Sequence, residues 1–197
     1  MNADTLSAQL AALPGAVLRA TEHAAVGYDL SVTLPESSLI AAVTIMDKAG
    51  YFIEGMTGVD WLGECEALRK EAEAKAQKAA EAAAASRADA DAPGADAARP
   101  APPAETQEQG CPPQQDELEV VYDFNLYAAR HRVCLRVRTP RANPLIHTIA
   151  EIYPIAHWHE REIHEFFGIV FIGHPYLIPL LLPEDAEYHP LLKDYSA

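Results

Sequence analysis

The chain has 197 residues, enough for one domain with a sizeable core and too few for two large ones. Its 29 acidic against 15 basic side chains give a formal charge of -14, which repels phosphate backbones and excludes a nucleic-acid footprint. Cys65, Cys111 and Cys134 are widely spaced and odd in number, so they supply neither a disulfide framework nor the Cys-x-x-Cys spacing of a zinc or iron–sulfur site.

The first twenty residues, MNADTLSAQLAALPGAVLRA, lack a basic leader followed by an apolar block. The most apolar run, residues 176–183, is far shorter than the roughly 20 residues of a bilayer span. A soluble cytoplasmic protein is expected, without a membrane span of its own but free to sit on a membrane complex.

Residues 4–13 predict a short amphipathic helix, because Leu6, Leu10 and Leu13 share a face, and Pro14-Gly15 ends it. Residues 28–34 predict a strand, with Tyr28, Leu30, Val32 and Leu34 alternating with Asp29, Ser31 and Thr33. Pro35 and the following SSLIAAVTIMDKAG predict a helix stopped at Gly50. YFIEGMTGVDW predicts a second strand leading into a turn, its regularity weakened by Gly55 and Gly58.

Residues 64–87 are helix formers by propensity but carry no broad apolar stripe. Residues 88–115 are rich in Asp, Ala, Pro, Gly, Glu and Gln, a composition that cannot bury enough area to offset chain ordering. The whole of 64–115 is therefore expected to be an alanine-rich helix and a flexible proline-rich stretch inserted between two strands. Closure entropy grows only logarithmically, so the insertion costs about 1–2 kcal/mol beyond a short connection. A dedicated coiled-coil partner helix is the alternative.

After it, Leu118, Val120, Tyr122, Phe124 and Leu126 alternate with Glu117, Glu119 and Asp123. In the next segment Val133, Leu135 and Val137 share one face, and Arg130, Arg132, Arg136 and Arg138 the other. Joined by Ala128-Ala129, these predict an antiparallel hairpin whose arginine stripe is neutralised by neighbouring carboxylates. A docking strip or an anion site is the other reading of the stripe, since surface ion pairs contribute only about 0–1 kcal/mol each. Pro144 opens LIHTIAEIY, expected to be a short helix with Leu145, Ile149 and Ile152 on the sheet, ended by Pro154. The elements together predict an α+β fold: a two-layer domain, discontinuous over 1–63 and 116–155, with a mixed or antiparallel sheet covered by helices. Residues 156–197 follow as a helix and an extended C-terminal meander.

The segment HWHEREIHEFFGIVFIGHP is the densest in chemically capable side chains. A zinc protease needs two histidines four apart on a helix, whereas His159 and His164 are five apart and diverge around it. His157 and His159 would share a face only on extended backbone and would still need a third ligand. Acid–base chemistry by Glu160, Glu162 or His164 needs a cleft that the sequence does not display. Packing accounts for more of the pattern: Ile163, Phe166 and Phe167 stand at i, i+3 and i+4, and burying all three contributes roughly 5–8 kcal/mol before ordering costs. Arg161 and Glu165 are spaced for an i,i+4 pair, Glu160 and Glu162 suit a helix N-terminus, and Gly168 suits a left-handed cap. Beyond it, Gly173-His174-Pro175 turns the chain, and Pro179, Pro183 and Pro190 prevent regular structure. The remaining ribbon carries Tyr176, Leu177, Ile178, Leu180, Leu181 and Leu182, more apolar material than a lone surface displays. Part of it is expected to cover the domain and part to dock on a partner.

Residues 160–195 contain, in order, Glu160-Arg161-Glu162, Glu165, Phe167-Gly168-Ile169, Phe171, Gly173-His174-Pro175, Leu177, Leu182-Pro183-Glu184-Asp185 and His189-Pro190-Leu191-Leu192-Lys193-Asp194-Tyr195. This order resembles the respiratory-chain NADH dehydrogenase 30 kDa subunit family, which in bacteria belongs to the NADH-quinone oxidoreductase. Residues 1–63 and 116–197 resemble it more weakly overall. The resemblance implies a structural and assembly subunit of a peripheral arm, on the cytoplasmic side of the cell membrane. It implies no catalytic site, metal or cofactor in this chain. Iron–sulfur clusters and a quinone or nickel–iron site would reside in partner subunits: a quinone-site 49 kDa-type or hydrogenase-type large subunit, and iron–sulfur subunits. The matched residues, with Phe166, would be structural or partner-facing, and the parent reaction would be electron transfer coupled to ion translocation. Glu165 stands where aspartate is usual, Pro179 and Leu192 where arginines are common, and Tyr188 where glycine is usual. Related subunits of energy-converting membrane-bound nickel–iron hydrogenases share the core motif with looser basic positions, which leaves the parent complex open. A stand-alone histidine/glutamate metal-dependent hydrolase is the alternative from a different class.

Overall fold

The computed structural model describes residues 3–63 and 117–196, so the expectations for 64–115 lie outside the described residues. Helix α1 (Ala3–Ala11) is followed by strand β1 (Val17–Ala20), the one-turn α2 (His23–Val26), β2 (Leu30–Leu34), a 3-10 turn (Glu36–Ser38), α3 (Leu39–Lys48) and β3 (Phe52–Asp60). After 116 come β4 (Glu117–Leu126), a 3-10 turn (Tyr127–Ala129), β5 (His131–Pro140), β6 (Leu145–His147), helix α4 (Ala156–Phe167) and β7 (Val170–Ile172).

The main sheet is mixed, as its strand order β1-β2-β5-β4-β3 shows: β2 and β5 run parallel, and every other neighbouring pair is antiparallel. The hairpin forms with the expected phase, Val120 opposite Val137 and Tyr122 opposite Leu135. Because strand side chains alternate, Val32, Val120, Tyr122, Phe124, Leu135 and Val137 face one way and are wholly buried. Leu6 and Leu10 of α1 and Leu39, Val43 and Met46 of α3 join them in a single core. Each such aliphatic or aromatic side chain contributes about 1.5–3 kcal/mol on burial.

Gly58, which weakens β3 by composition, has a packing purpose. A Cβ there would lie 2.5 Å from the Phe167 ring, so the glycine lets α4 approach the strand.

Two local expectations are corrected. Residues 145–153 do not form a helix: β6 pairs in parallel with β7, Ile146 opposite Phe171, and turns follow. The Val170 amide donates to the Pro144 carbonyl and the Thr148 amide to Ile172, so this backbone finds partners across the sheet. A nine-residue helix is marginal alone, and a strand partner removes its advantage. Arg130 is not on the strand face but ends the hairpin turn in left-handed conformation at φ 50, leaving Arg132, Arg136 and Arg138 in the stripe. Strand β1, which has little alternation, forms because β2 offers it an antiparallel partner from Val17 to Ala20.

Candidate functional site

Helix α4 buries Glu160, Arg161 and Glu165 beside Ile163 and Phe167. Buried charges are costly unless hydrogen-bonded. The expected Arg161–Glu165 pair does not form, because both side chains turn to the C-terminal ribbon. Glu165 accepts the amides of Leu180 at 2.7 Å, Leu181 at 3.0 Å and Leu182 at 3.1 Å. Arg161 donates through Nε to the Ile178 carbonyl and through Nη2 to the Pro179 carbonyl, both at 2.9 Å. Its guanidinium lies 5.3 Å from the Trp158 ring and 5.5 Å from the Tyr176 ring. The ribbon, unable to form a ladder because of its prolines, thus receives from one helix the hydrogen bonds that a strand would have given.

Glu160 faces the other way. It accepts Thr148 Oγ1–H at 2.5 Å and the Ile149 amide at 2.8 Å, tying α4 to the turn after β6. Burial pushes its carboxyl up to about 7, against the lowering effect of those two bonds. His174, at the ribbon's root, approaches it with Nε2 at 4.0 Å from Oε2, and the side chains of both are wholly covered. Burial holds the His174 imidazole below its usual value. His174 Nδ1 accepts the Tyr176 amide at 3.1 Å, so the ring proton sits on Nε2, 3.2 Å from the His157 carbonyl oxygen. His164 Nδ1 donates to Ile169 and His189 Nδ1 to the Glu165 carbonyl. The histidines of this segment that make hydrogen bonds therefore serve backbone, and no group of three or more metal-ligating side chains occurs among the described residues.

Gly168 caps α4 at φ 74, and a Cβ there would stand 2.8 Å from the His189 ring. Glu162 is half-buried, Phe166 packs partly on the core, and Phe171 is buried in β7. Gly173 turns with φ 86 into exposed Pro175, while Leu177 packs against the core. Pro183 is exposed and accepts the Ala186 amide; Pro190 is half-buried.

The ribbon's far end is closed by residues that the sequence did not single out. Asp60, buried at the end of β3, accepts the Lys193 amide at 2.9 Å and Arg141 Nη2 at 3.1 Å. Arg141 also grips Asp194 with both terminal nitrogens, at 3.0 and 2.5 Å. Tyr195 stacks on Tyr188 at 5.7 Å. Asp60 and Arg141 lack a periodic or motif signal, because their role depends on two loops meeting a distant terminus.

With its backbone fastened at both ends, the ribbon shows apolar side chains outward. Tyr176 is 56% exposed, Leu181 66% and Leu191 53%, next to Trp158 on α4 at 54%. On the sheet face away from the core, Glu119 is wholly buried between Arg136 and Arg138, each 2.8 Å away, and Arg132 pairs with Glu54. This is the locally neutralised stripe that was expected. No helix among the described residues is long and apolar enough to cross a membrane.

Residues 32–197 match the family model described as "Respiratory-chain NADH dehydrogenase, 30 Kd subunit". An NADH-quinone oxidoreductase subunit from Roseiflexus castenholzii is 48% identical over 81 residues, 41% of this chain and 47% of that protein. An F(420)H(2) dehydrogenase subunit from Methanosarcina mazei is 46% identical over 86 residues, 43% of this chain and 54% of that protein. The chain thus spans about half the length of these curated relatives. A polypeptide of the membrane-bound sulfane sulfur reductase, an archaeal respiratory membrane complex, has the same fold with a TM-score of 0.62 at 18% identity, covering 98% of this chain and 84% of its own. A trypsin-resistant fragment of Nqo5 aligns with a TM-score of 0.51 at 21% identity, over 88% of this chain and 95% of the fragment.

Proposed function

The chain belongs to the respiratory-chain NADH dehydrogenase 30 Kd subunit family, and from that premise we propose that it is a structural and assembly subunit in the peripheral arm of a complex I-type membrane oxidoreductase. The observation that carries this reading is the ribbon, whose backbone is fastened by Arg161 and Glu165 while Tyr176, Leu181 and Leu191 are presented to the outside. An ordered apolar edge of this kind has already met its ordering cost and suits a permanent partner. The partner we assign to it is the large subunit, of quinone-site or hydrogenase type, with iron–sulfur subunits adjoining. In this reading the redox centres belong to those partners, the chain lies peripherally on the cytoplasmic side of the membrane, and its own contribution is positional. Relatives named for two different electron donors, NADH and F(420)H(2), support a role that does not depend on the donor.

The test is isolation of the intact complex through this subunit, followed by mass spectrometry of its companions. Large and iron–sulfur subunits are expected with the wild type and largely lost with Glu165→Ala, which leaves three ribbon amides without their acceptor. The companions also decide between a complex I-type and a nickel–iron hydrogenase parent. A solitary monomer with full redox or hydrolytic activity would overturn the proposal.

A further inference from the structure

Arg161 is 8% exposed, and a guanidinium so deeply covered is ordinarily paired with a carboxylate. Arg132, Arg136, Arg138 and Arg141 each have such a pair, whereas Arg161 has no ion pair among the described residues. Two of the acids on its own helix are engaged elsewhere, Glu165 by three ribbon amides and Glu160 by Thr148 and Ile149. Its Nε and Nη2 each give one N–H to a neutral acceptor, the carbonyls of Ile178 and Pro179. A guanidinium carries five N–H groups in one plane, so the end-on edge, formed by Nη1 and the second hydrogen of Nη2, has no partner among the described residues. The buried side-chain atoms that lack a hydrogen bond are Trp61 Nε1, the Tyr122 hydroxyl, Arg141 Nε and His157 Nδ1, so Arg161 Nη1, equally unbonded, reaches the surface.

The surrounding surface is the apolar edge itself, since the guanidinium lies 5.3 and 5.5 Å from the rings of Trp158 and Tyr176, both exposed. We propose, on the reading of this edge as the interface, that Arg161 is the seat for one acidic side chain of the partner, whose carboxylate takes the end-on edge of the guanidinium while the adjoining apolar surface covers Trp158 and Tyr176. Charge complementarity selects the occupant. A cation without a counter-ion attracts a carboxylate, and two parallel N–H groups match its two oxygens. A backbone carbonyl would leave the charge uncompensated. The chain's formal charge of -14 repels an extended acidic patch, so a single carboxylate placed at short range is the fitting form. Docking would remove water from the rings and the ion pair together, and the attraction strengthens as the local dielectric falls. Trp, Tyr and Arg are also the residue types in which interface energy concentrates when apolar contacts exclude water around them, and the exposed Ile178 and Leu181 supply such contacts.

The experiment is a structure, at side-chain detail, of the intact complex isolated through this subunit, followed by neutralisation of the partner residue found at Arg161. An Asp or Glu of the partner is expected within about 4 Å of the guanidinium end. Its replacement by Asn or Gln should speed release of this subunit at least about tenfold, with this chain left unaltered. Water, a backbone carbonyl or a carboxylate of this chain at that edge overturns the proposal, and so does an unchanged release rate after neutralisation. Should the neutralised partner fail to assemble, the residue seen at Arg161 in the wild-type complex decides alone. A complex in which no subunit covers Trp158, Tyr176 and Leu181 overturns the interface reading itself, which keeps the two failures apart.

Discussion

Glu119 has no solvent contact, and both its oxygens are taken by guanidinium groups, Arg136 on Oε1 and Arg138 on Oε2. Removing one member of a buried ionic group leaves the others uncompensated, which costs about 3–5 kcal/mol. Glu119→Ala is therefore expected to lower stability by that amount in chemical denaturation, whereas Glu54→Ala on the half-exposed Arg132 pair should cost about 0–1 kcal/mol. Equal losses at the two positions would contradict the distinction. The sequence shows that acidic and basic residues alternate on facing strands, so neutralisation of the stripe is legible. Which carboxylate is buried is not, because burial of Glu119 depends on two arginines folding over it from the neighbouring strand.

Helix α4 meets strand β3 through a contact one atom deep: the Phe167 ring occupies the space a side chain at position 58 would fill. Gly58→Ala is expected to cost about 1–3 kcal/mol by overpacking. In the double variant with Phe167→Ala, the added cost of the alanine at 58 should nearly vanish, and a denaturation double-mutant cycle reads this coupling. The same helix holds the ribbon through a planar fork, since Arg161 reaches two successive carbonyls from Nε and Nη2. Lysine keeps the charge but not that geometry. Arg161→Lys should therefore speed limited proteolysis between 176 and 182 several-fold, by about 1 kcal/mol of lost local protection. An unaltered cleavage rate would show that charge alone suffices. Sequence periodicity correctly places Ile163, Phe166 and Phe167 on the inward side of α4, yet it pairs Arg161 with Glu165, because i,i+4 spacing is local information and the competing ribbon amides are not. The short strand β6 escapes for the same reason, its partner β7 lying beyond the intervening helix.

The ribbon is joined to the body at two separated places, α4 near its root and the Asp60–Arg141–Asp194 group near its end. Arg141→Leu removes three hydrogen bonds and leaves Asp60 buried without its cation. It should release residues 188–195 to faster amide exchange while the Glu165-bound stretch stays protected, a pattern read by exchange mass spectrometry. Simultaneous release of both stretches would mean that the ribbon opens as one unit. Composition, charge, alternation and the ordered residues from Glu160 to Tyr195 together determine the α+β class, the hairpin, the cap at Gly168 and the family, since each is written in spacing along the chain. Only the tertiary structure decides that Arg161 and Glu165 of α4 serve ribbon backbone, that Gly58 seats Phe167, and that Glu160 and His174 share one buried corner. Those facts depend on segments far apart in sequence being brought within hydrogen-bonding range, and on the removal of water that makes each unpaired polar group costly.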